Sequence, residues 1–241
     1  MTVTVQAIPM LSDNYSWLLT EGVTGKIGIV DPAEADPAIA ALEAAGLKLD
    51  MIFLTHHHPD HVGGAEELRA RYGAKIAGNR ADAHRLPRLD IAVHEGSLVE
   101  FGVANARVIE VPGHTLGHIA YYFADGGLLF AGDTLFSMGC GRLFEGTAGQ
   151  MFNSLGKFAD LPDDTLLCCG HEYTQSNARF ALSVEPDNAA LLARNEEVSR
   201  LRAEGLATVP VSMGVERATN PFLRAESVEE LGARRTAKDN F

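Results

Sequence analysis

Cysteine, long apolar runs and basic residues are all in short supply in this sequence, and each shortage excludes something. Cys140, Cys168 and Cys169 are the three cysteines among 241 residues. They form no C-x-x-C pair, and adjacent cysteines rarely bridge each other, so no disulfide framework is expected. That suits a reducing compartment, and a cytoplasmic location is the default expectation. Apolar runs stop at strand length, as in Gly127-Leu128-Leu129-Phe130-Ala131-Gly132, far below the roughly 20 residues that cross a bilayer. The opening MTVTVQAIPML has no Lys or Arg and no small-residue cleavage site after a long apolar stretch, so it does not read as a signal peptide. Lys and Arg number 20 against 32 Asp and Glu, a formal net charge of −12. Nucleic-acid binding needs a basic face to neutralise phosphates, so it is not expected. An anionic ligand would have to be met by cations gathered locally.

What is present is the material of an ordinary globular chain: 46% hydrophobic and 22% charged residues. The length lies between one large domain and a domain with a smaller appendage. Short β-branched and apolar runs at 3–8, 15–19, 27–30, 51–54, 75–77, 107–111, 120–123, 128–130 and 166–169 read as strands. Amphipathic stretches at 37–45, 64–72 and 150–161 read as helices, with Gly73 as a stop. The class is mixed α/β with several antiparallel pairs. After His171 the pattern changes, and 175–184, 188–204 and 228–237 have helical spacing with no convincing strand. Pro186, Pro210 and Pro221 limit helix length there. The expected organisation is a mixed α/β part over residues 1–173 and a helical part over 174–241.

The densest chemistry lies in Thr55-His56-His57-His58-Pro59-Asp60-His61. A purification tag would sit at a terminus, whereas this run follows Met51-Ile52-Phe53-Leu54, which looks like a buried strand. Along extended backbone, side chains alternate, so His56 and His58 point one way and His57 the other. His58 precedes Pro59 and is therefore held extended. Asp60 and His61 follow where the chain turns into the helix opened by Gly63-Gly64, offering a second carboxylate–imidazole pair. Solvated histidines need no such phasing, and the H-x-H-x-D-H order points to metal ligation at two neighbouring sites. Further donors are expected at strand ends. Three stand out: His114 in Val111-Pro112-Gly113-His114-Thr115-Leu116-Gly117-His118, Asp133 after Leu128-Leu129-Phe130-Ala131-Gly132, and His171 after Leu167-Cys168-Cys169-Gly170.

The order T-H-H-H-P-D-H, P-G-H-T-L-G-H, A-G-D-T-L-F and G-H-E-Y-T resembles the metallo-β-lactamase superfamily. Within it, Gly139-Cys140-Gly141-Arg142-Leu143-Phe144-Glu145-Gly146-Thr147, Cys169-Gly170-His171-Glu172-Tyr173-Thr174 and Lys238-Asp239-Asn240-Phe241 look like the hydroxyacylglutathione hydrolases, glyoxalase II. The resemblance covers essentially the whole chain. It implies an αββα sandwich with a two-metal site, then a helical domain that helps bind the glutathione part of a thioester. By motif, His56, His58 and His114 would hold one metal, Asp60, His61 and His171 the other, and Asp133 would bridge them. A carboxylate has two oxygens to share, whereas a neutral imidazole gives one nitrogen to one metal. Zinc is the expected metal, with iron or manganese as alternatives.

The chemistry implied is thioester hydrolysis of S-D-lactoylglutathione by a metal-bridging hydroxide, with Asp60 and Asp133 as catalytic carboxylates. Paired cations lower the pKa of bound water from about 15.7 toward about 7. A thiolate, whose thiol has a pKa near 8.5, leaves without a dedicated acid. The resemblance assigns substrate binding to Arg142, Phe144, Tyr173, Arg235 and Lys238, in a chain expected to act as a monomer. Many relatives have lysine at 142 and tyrosine at 144, so one hydroxyl contact would be missing here. His118 would play a buried hydrogen-bonding part, and His84 and His94 read as surface residues. Rival readings are a lactonase or β-lactamase-like hydrolase, a mononuclear iron persulfide dioxygenase and a structural metal module. The terminal segment 238–241 argues against the first, and the second-site set Asp60, His61 and His171 against the second. Seven histidine and aspartate donors argue against the third, since structural zinc favours a closed, cysteine-rich shell.

Overall fold

The computed structural model describes residues 3–241; the first two residues, which belong to the opening segment and to the expected mixed α/β part, lie outside the described residues. The chain divides into two compact units, one running to Glu110 and resuming over Gly117–Gly132, the other made of Val111–Leu116 and Asp133–Phe241.

In the first unit, strands β1 (Val3–Met10), β2 (Asn14–Glu21) and β3 (Ile27–Val30) form an antiparallel meander. Helix α1 (Ala35–Ala45) leads to β4 (Met51–Phe53), which pairs parallel with β3. After the short helix α2 (Pro59–Val62) and α3 (Ala65–Tyr72), β5 (Lys75–Asn79) and β6 (Ile91–Val93) extend the same sheet in parallel, giving the order β1 to β6. A second, antiparallel set holds β7 (Leu98–Phe101), β8 (Ala104–Glu110), β9 (Ile119–Phe123) and β10 (Leu128–Gly132). The strands at 91–93 and 98–101 escape the sequence reading because they are brief and half exposed.

Two hydrophobic layers hold this unit. One face of the six-stranded sheet buries Leu18, Ile29, Ile52 and Ile76 against Ala38 and Leu42 of α1 and Leu68 of α3. The other presents Phe53, whose ring meets Phe101, Tyr121 and Phe123 edge-on at 5.7, 5.2 and 5.8 Å. Helix on sheet on sheet is thus built from alternating side chains of the same strands. Burying an aromatic ring of this size contributes about 2–3 kcal/mol.

The second unit holds a tight hairpin, β11 (Leu135–Phe136) with β12 (Gly139–Cys140), then α4 (Ala148–Gly156) and β13 (Leu166–Cys169). Helix α4 starts in a capping box between Thr147 and Gln150, two residues earlier than the apolar periodicity suggests, and stops five residues sooner. Helices α5 (Thr174–Val184) and α6 (Ala189–Ala203) pack as a pair around Ala178, Ala181, Leu191 and Val198. The expectation of no strand after His171 is corrected by β14 (Val211–Ser212), which pairs with Leu166 and Leu167 of β13. Two residues carry too little periodicity to read, and partner geometry alone creates this strand. Helices α7 (Met213–Thr219) and α8 (Val228–Asp239) complete the unit. Among the described residues, no helix is long and apolar enough to cross a membrane.

Candidate metal centre and ligand cavity

Strand β4 delivers the histidine run. His58 has extended geometry, φ −61° and ψ 142°, and caps α2 with Pro59 at its first turn, as the X-Pro restriction requires. The sequence places Asp60 and His61 at the entry to the helix over 64–72. They instead occupy α2, and Gly63 and Gly64 separate it from α3. A Cβ on Gly63 would meet the Ala33 carbonyl oxygen at 2.5 Å, so only glycine lets the chain pass there.

Within this unit, His56 Nε2 and His58 Nδ1 stand 3.1 Å apart, so the two rings converge. Behind them sits Asp31, which the sequence reading missed. Its Oδ1 accepts from the Thr55 amide at 2.8 Å and its Oδ2 from the Thr55 hydroxyl at 2.6 Å. The same Oδ2 lies 3.0 Å from His61 Nδ1, and Thr55 Oγ1 lies 3.0 Å from His56 Nδ1. Because the Thr55 proton goes to Asp31, its oxygen accepts from His56 Nδ1. Both histidines thereby carry the proton on Nδ1 and keep Nε2 for coordination, the usual orientation of a metal-binding imidazole. Asp31, His56 and His61 do place ligand atoms within 4.8 Å of one another, yet the oxygens of Asp31 are engaged with Thr55 and His61, which makes it an orienting group. Strand-then-aspartate placement, Ile27–Val30 followed by Asp31, is the signal that could have found it. Asp60 Oδ2 lies 3.6 Å from His61 Nε2 and accepts from Asn14 Nδ2 at 3.0 Å.

His118 is fully buried and stacks on His56 at 4.5 Å with an 18° tilt. Gly132 has φ +48°, and a Cβ there would lie 2.4 Å from Thr55 Oγ1 and 2.9 Å from His118 Nε2. The glycine that precedes Asp133 therefore serves the histidine cluster's own packing. His57 turns away, its Nδ1 3.4 Å from Asp82 and its Nε2 3.2 Å from Arg85. His84 and His94 are exposed.

In the second unit, one oxygen of Asp133, Oδ2, lies 3.5 Å from His114 Nε2 and 3.3 Å from His171 Nε2. One carboxylate thus faces two imidazoles. His114 Nδ1 is 2.8 Å from the Arg142 carbonyl, which again leaves Nε2 as the lone-pair nitrogen. Gly141 permits this, since a Cβ would meet the Asp133 carbonyl oxygen at 2.0 Å and His114 Nδ1 at 3.0 Å. Tyr173 stacks on His171, 4.6 Å away and nearly parallel. The three cysteines are buried. Burial pushes the Cys140 thiol up to about 11 and Cys169 to about 12, with Cys168 also well above its ordinary value. None of them is a thiolate at neutral pH, so none is a nucleophile.

A cavity of about 640 Å³ is lined by both His114 and Asp133 and by Arg142, Tyr173, Arg235 and Lys238. Arg142 is exposed, with its Nε 3.6 Å from Asp239. Arg235 is buried, donating to the Cys140 carbonyl at 2.6 Å and to Asp239 at 2.9 Å. Lys238 donates to Ser176, at 3.1 Å to the carbonyl and 3.0 Å to the hydroxyl. Its amine is pushed down to about 8, first by burial, then by Arg235, Arg179 and Arg142. Phe144 is exposed, its ring 5.2 Å from that of His114. The lining also includes Arg179, which the sequence reading did not single out.

Residues 12–171 match the Metallo-beta-lactamase superfamily and residues 172–241 the Hydroxyacylglutathione hydrolase C-terminus. The hydroxyacylglutathione hydrolase of Acidiphilium cryptum is 56% identical over 99% of this chain and 97% of its own. That of Rhodospirillum rubrum is 55% identical over 95% and 89%. Among solved structures, ETHE1 from Myxococcus xanthus superposes with a TM-score of 0.74 over 97% of this chain and 90% of its own, at 25% identity. By sequence over its whole length and by fold, the chain belongs to the hydroxyacylglutathione hydrolase family of the metallo-beta-lactamase superfamily.

Proposed function

We propose that this protein is a metal-dependent thioester hydrolase. It converts S-(2-hydroxyacyl)glutathione, with S-D-lactoylglutathione as the physiological case, and water into glutathione and a 2-hydroxy acid in methylglyoxal detoxification. One observation carries the reading: the cavity that contains the donors His114 and Asp133 is the one lined by Arg142, Arg235 and Lys238. Metal donors and anion-binding cations share a single pocket in a chain of net charge −12. The names of the relatives support the substrate class.

The donor chemistry fits divalent cations. Imidazole and carboxylate suit zinc, iron or manganese, and the Nδ1 protons of His56, His61 and His114 are committed to acceptors behind the site. In our assignment His56, His58 and His114 would hold one cation, Asp60, His61 and His171 would hold a second, and Asp133 would serve both, with zinc as the metal. When bound, such a pair would supply an ionised water at neutral pH and would polarise a thioester carbonyl. Asp60 and Asp133 are the catalytic carboxylates. Arg142, Arg235 and Lys238 are substrate-binding residues that give the cavity its positive field toward an anionic substrate, while Tyr173 and Phe144 flank the bound peptide. Residues 1–173 act as the catalytic part and 174–241 as the substrate-binding part, in a cytoplasmic monomer; the buried reduced thiols support that compartment.

The test is elemental analysis of the purified protein with rates on S-lactoylglutathione and on lactones. Two divalent ions per chain and rapid thioester hydrolysis are expected, with His171→Ala losing at least a hundredfold in kcat, on the order of 2.7 kcal/mol of barrier. Faster lactone turnover, or unchanged turnover in His171→Ala, would overturn the assignment.

A further inference from the structure

The cations of the cavity are not equally committed. Asp239 is shared by Arg142 and Arg235, through its Oδ1 at 3.6 and 2.9 Å. Asp133, the other carboxylate in the lining, belongs to the metal assignment above. Lys238 is held by Ser176 and lies 5.6 Å from the rings of Phe180 and Phe241, and it makes no ion pair with a carboxylate among the described residues, although Asp239 acts on it through space. Arg179 lies on the exposed side of α5, lines the same cavity, and makes no hydrogen bond or ion pair among the described residues. Two cations, Lys238 and Arg179, are therefore left without a carboxylate. The glutathionyl part of the substrate brings two carboxylates.

We propose that Arg179 is a specificity-determining residue that receives one of the two carboxylates of the tripeptide, while Lys238 serves the other. The inference rests on the thioester reading above. Guanidinium geometry favours it, because the planar fork can take a carboxylate through two parallel hydrogen bonds. The crowding of Arg142, Arg179 and Arg235 around Lys238 adds a reason: an anion placed among like charges relieves their repulsion. A carboxylate remote from the thioester carbonyl is held equally in the ground and transition states, so the contribution of Arg179 appears in binding rather than in turnover.

The experiment compares the metal-loaded wild type with Arg179→Ala and Arg179→Lys on three substrates. These are S-lactoylglutathione, its glycine-carboxyl amide and its γ-glutamyl α-carboxyl amide. Arg179→Ala should raise KM about tenfold on the intact thioester, the size expected for a charged hydrogen bond, with kcat within twofold. Arg179→Lys should recover most of that loss. On one of the two amides the effect of Arg179→Ala should fall below twofold, which identifies the carboxylate bound. An unchanged KM in Arg179→Ala overturns the proposal, as does a tenfold rise that persists on both amides, since that would be a general field effect. Titration calorimetry with S-methylglutathione, a thioether that cannot be hydrolysed, separates the two readings. If wild type binds the thioether but turns over no thioester, the hydrolase reading fails while Arg179 is still tested, and equal binding by wild type and Arg179→Ala sinks the inference.

Discussion

At the scale of single residues, the most consequential property is the depressed amine of Lys238. Its ordinary value of 10.5 is brought to about 8, by burial first and neighbouring cations second. A lysine with a pKa of about 8 is charged below that pH and neutral above it, so its attraction for a substrate carboxylate is present at pH 7 and fades as pH rises through 8. KM for the glutathione thioester should rise several-fold between pH 7 and 9 in the wild type. Lys238→Arg, which stays charged, should show a flat KM over that range. A steady-state pH series checks this, and equal alkaline limbs in both proteins would count against it. The sequence made Lys238 visible as a matching position. It could not make the depression visible, because burial, its largest cause, and the approach of Arg179 and Arg142 from distant parts of the chain come from the tertiary structure; only Arg235 is a neighbour in sequence.

At the scale of elements, the β11–β12 hairpin determines how Asp133 and Arg142 are presented, and side chains of later helices hold it. Glu216 of α7 is fully buried. Its carboxylate accepts from the Ser137 hydroxyl and the Met138 amide at 2.8 Å each, and from Asn220 at 3.0 Å. Asn220 in turn donates to the Phe136 and Gly139 carbonyls, and Asn177 of α5 to that of Ser137. Met138 sits at φ +54°, a left-handed conformation costly for a side chain other than glycine, so the hairpin turn needs these contacts. Burial raises the carboxyl pKa of Glu216, and the hydrogen bonds oppose that rise. Glu216→Ala would orphan two donors, the Ser137 hydroxyl and the Met138 amide, and should cost about 3 kcal/mol in urea denaturation, whereas Glu216→Gln, which keeps an acceptor and the shape, should cost about 1 kcal/mol. Equal losses in the two variants would contradict the hydrogen-bond account. Nothing in the local pattern of 211–220 announces this role, and the sequence reading missed α7 for the same reason: seven residues show little periodicity.

At the scale of the whole molecule, each compact unit carries part of the proposed donor set: His56, His58, Asp60 and His61 in one, His114, Asp133 and His171 in the other. A cation that binds the folded chain and not the unfolded one stabilises it by RT ln(1 + [L]/Kd), about 4 kcal/mol at a thousandfold excess over Kd. Chelation should therefore abolish hydrolysis and lower the thermal midpoint by several degrees, and zinc should restore both. Scanning calorimetry on chelated and reloaded protein, with metal content measured on each, gives the answer. An unchanged midpoint after verified removal would argue against metal held by both sets.

What the sequence determined by itself is the phasing of the residues proposed as donors. His56 and His58 share a face because strand side chains alternate, Pro59 fixes the backbone between the two pairs, and a strand end delivers each of Asp133 and His171. These are local rules, satisfied within a few residues. The tertiary structure alone decided what stands behind the donors and around the ligand. Asp31 reaches His61 across 30 positions, and the Arg142 carbonyl reaches His114 across 28. Arg235 meets Cys140 across 95. Such partners are chosen by packing between elements, which no local spacing encodes, and they decide which ring nitrogen of His56, His61 and His114 carries the proton.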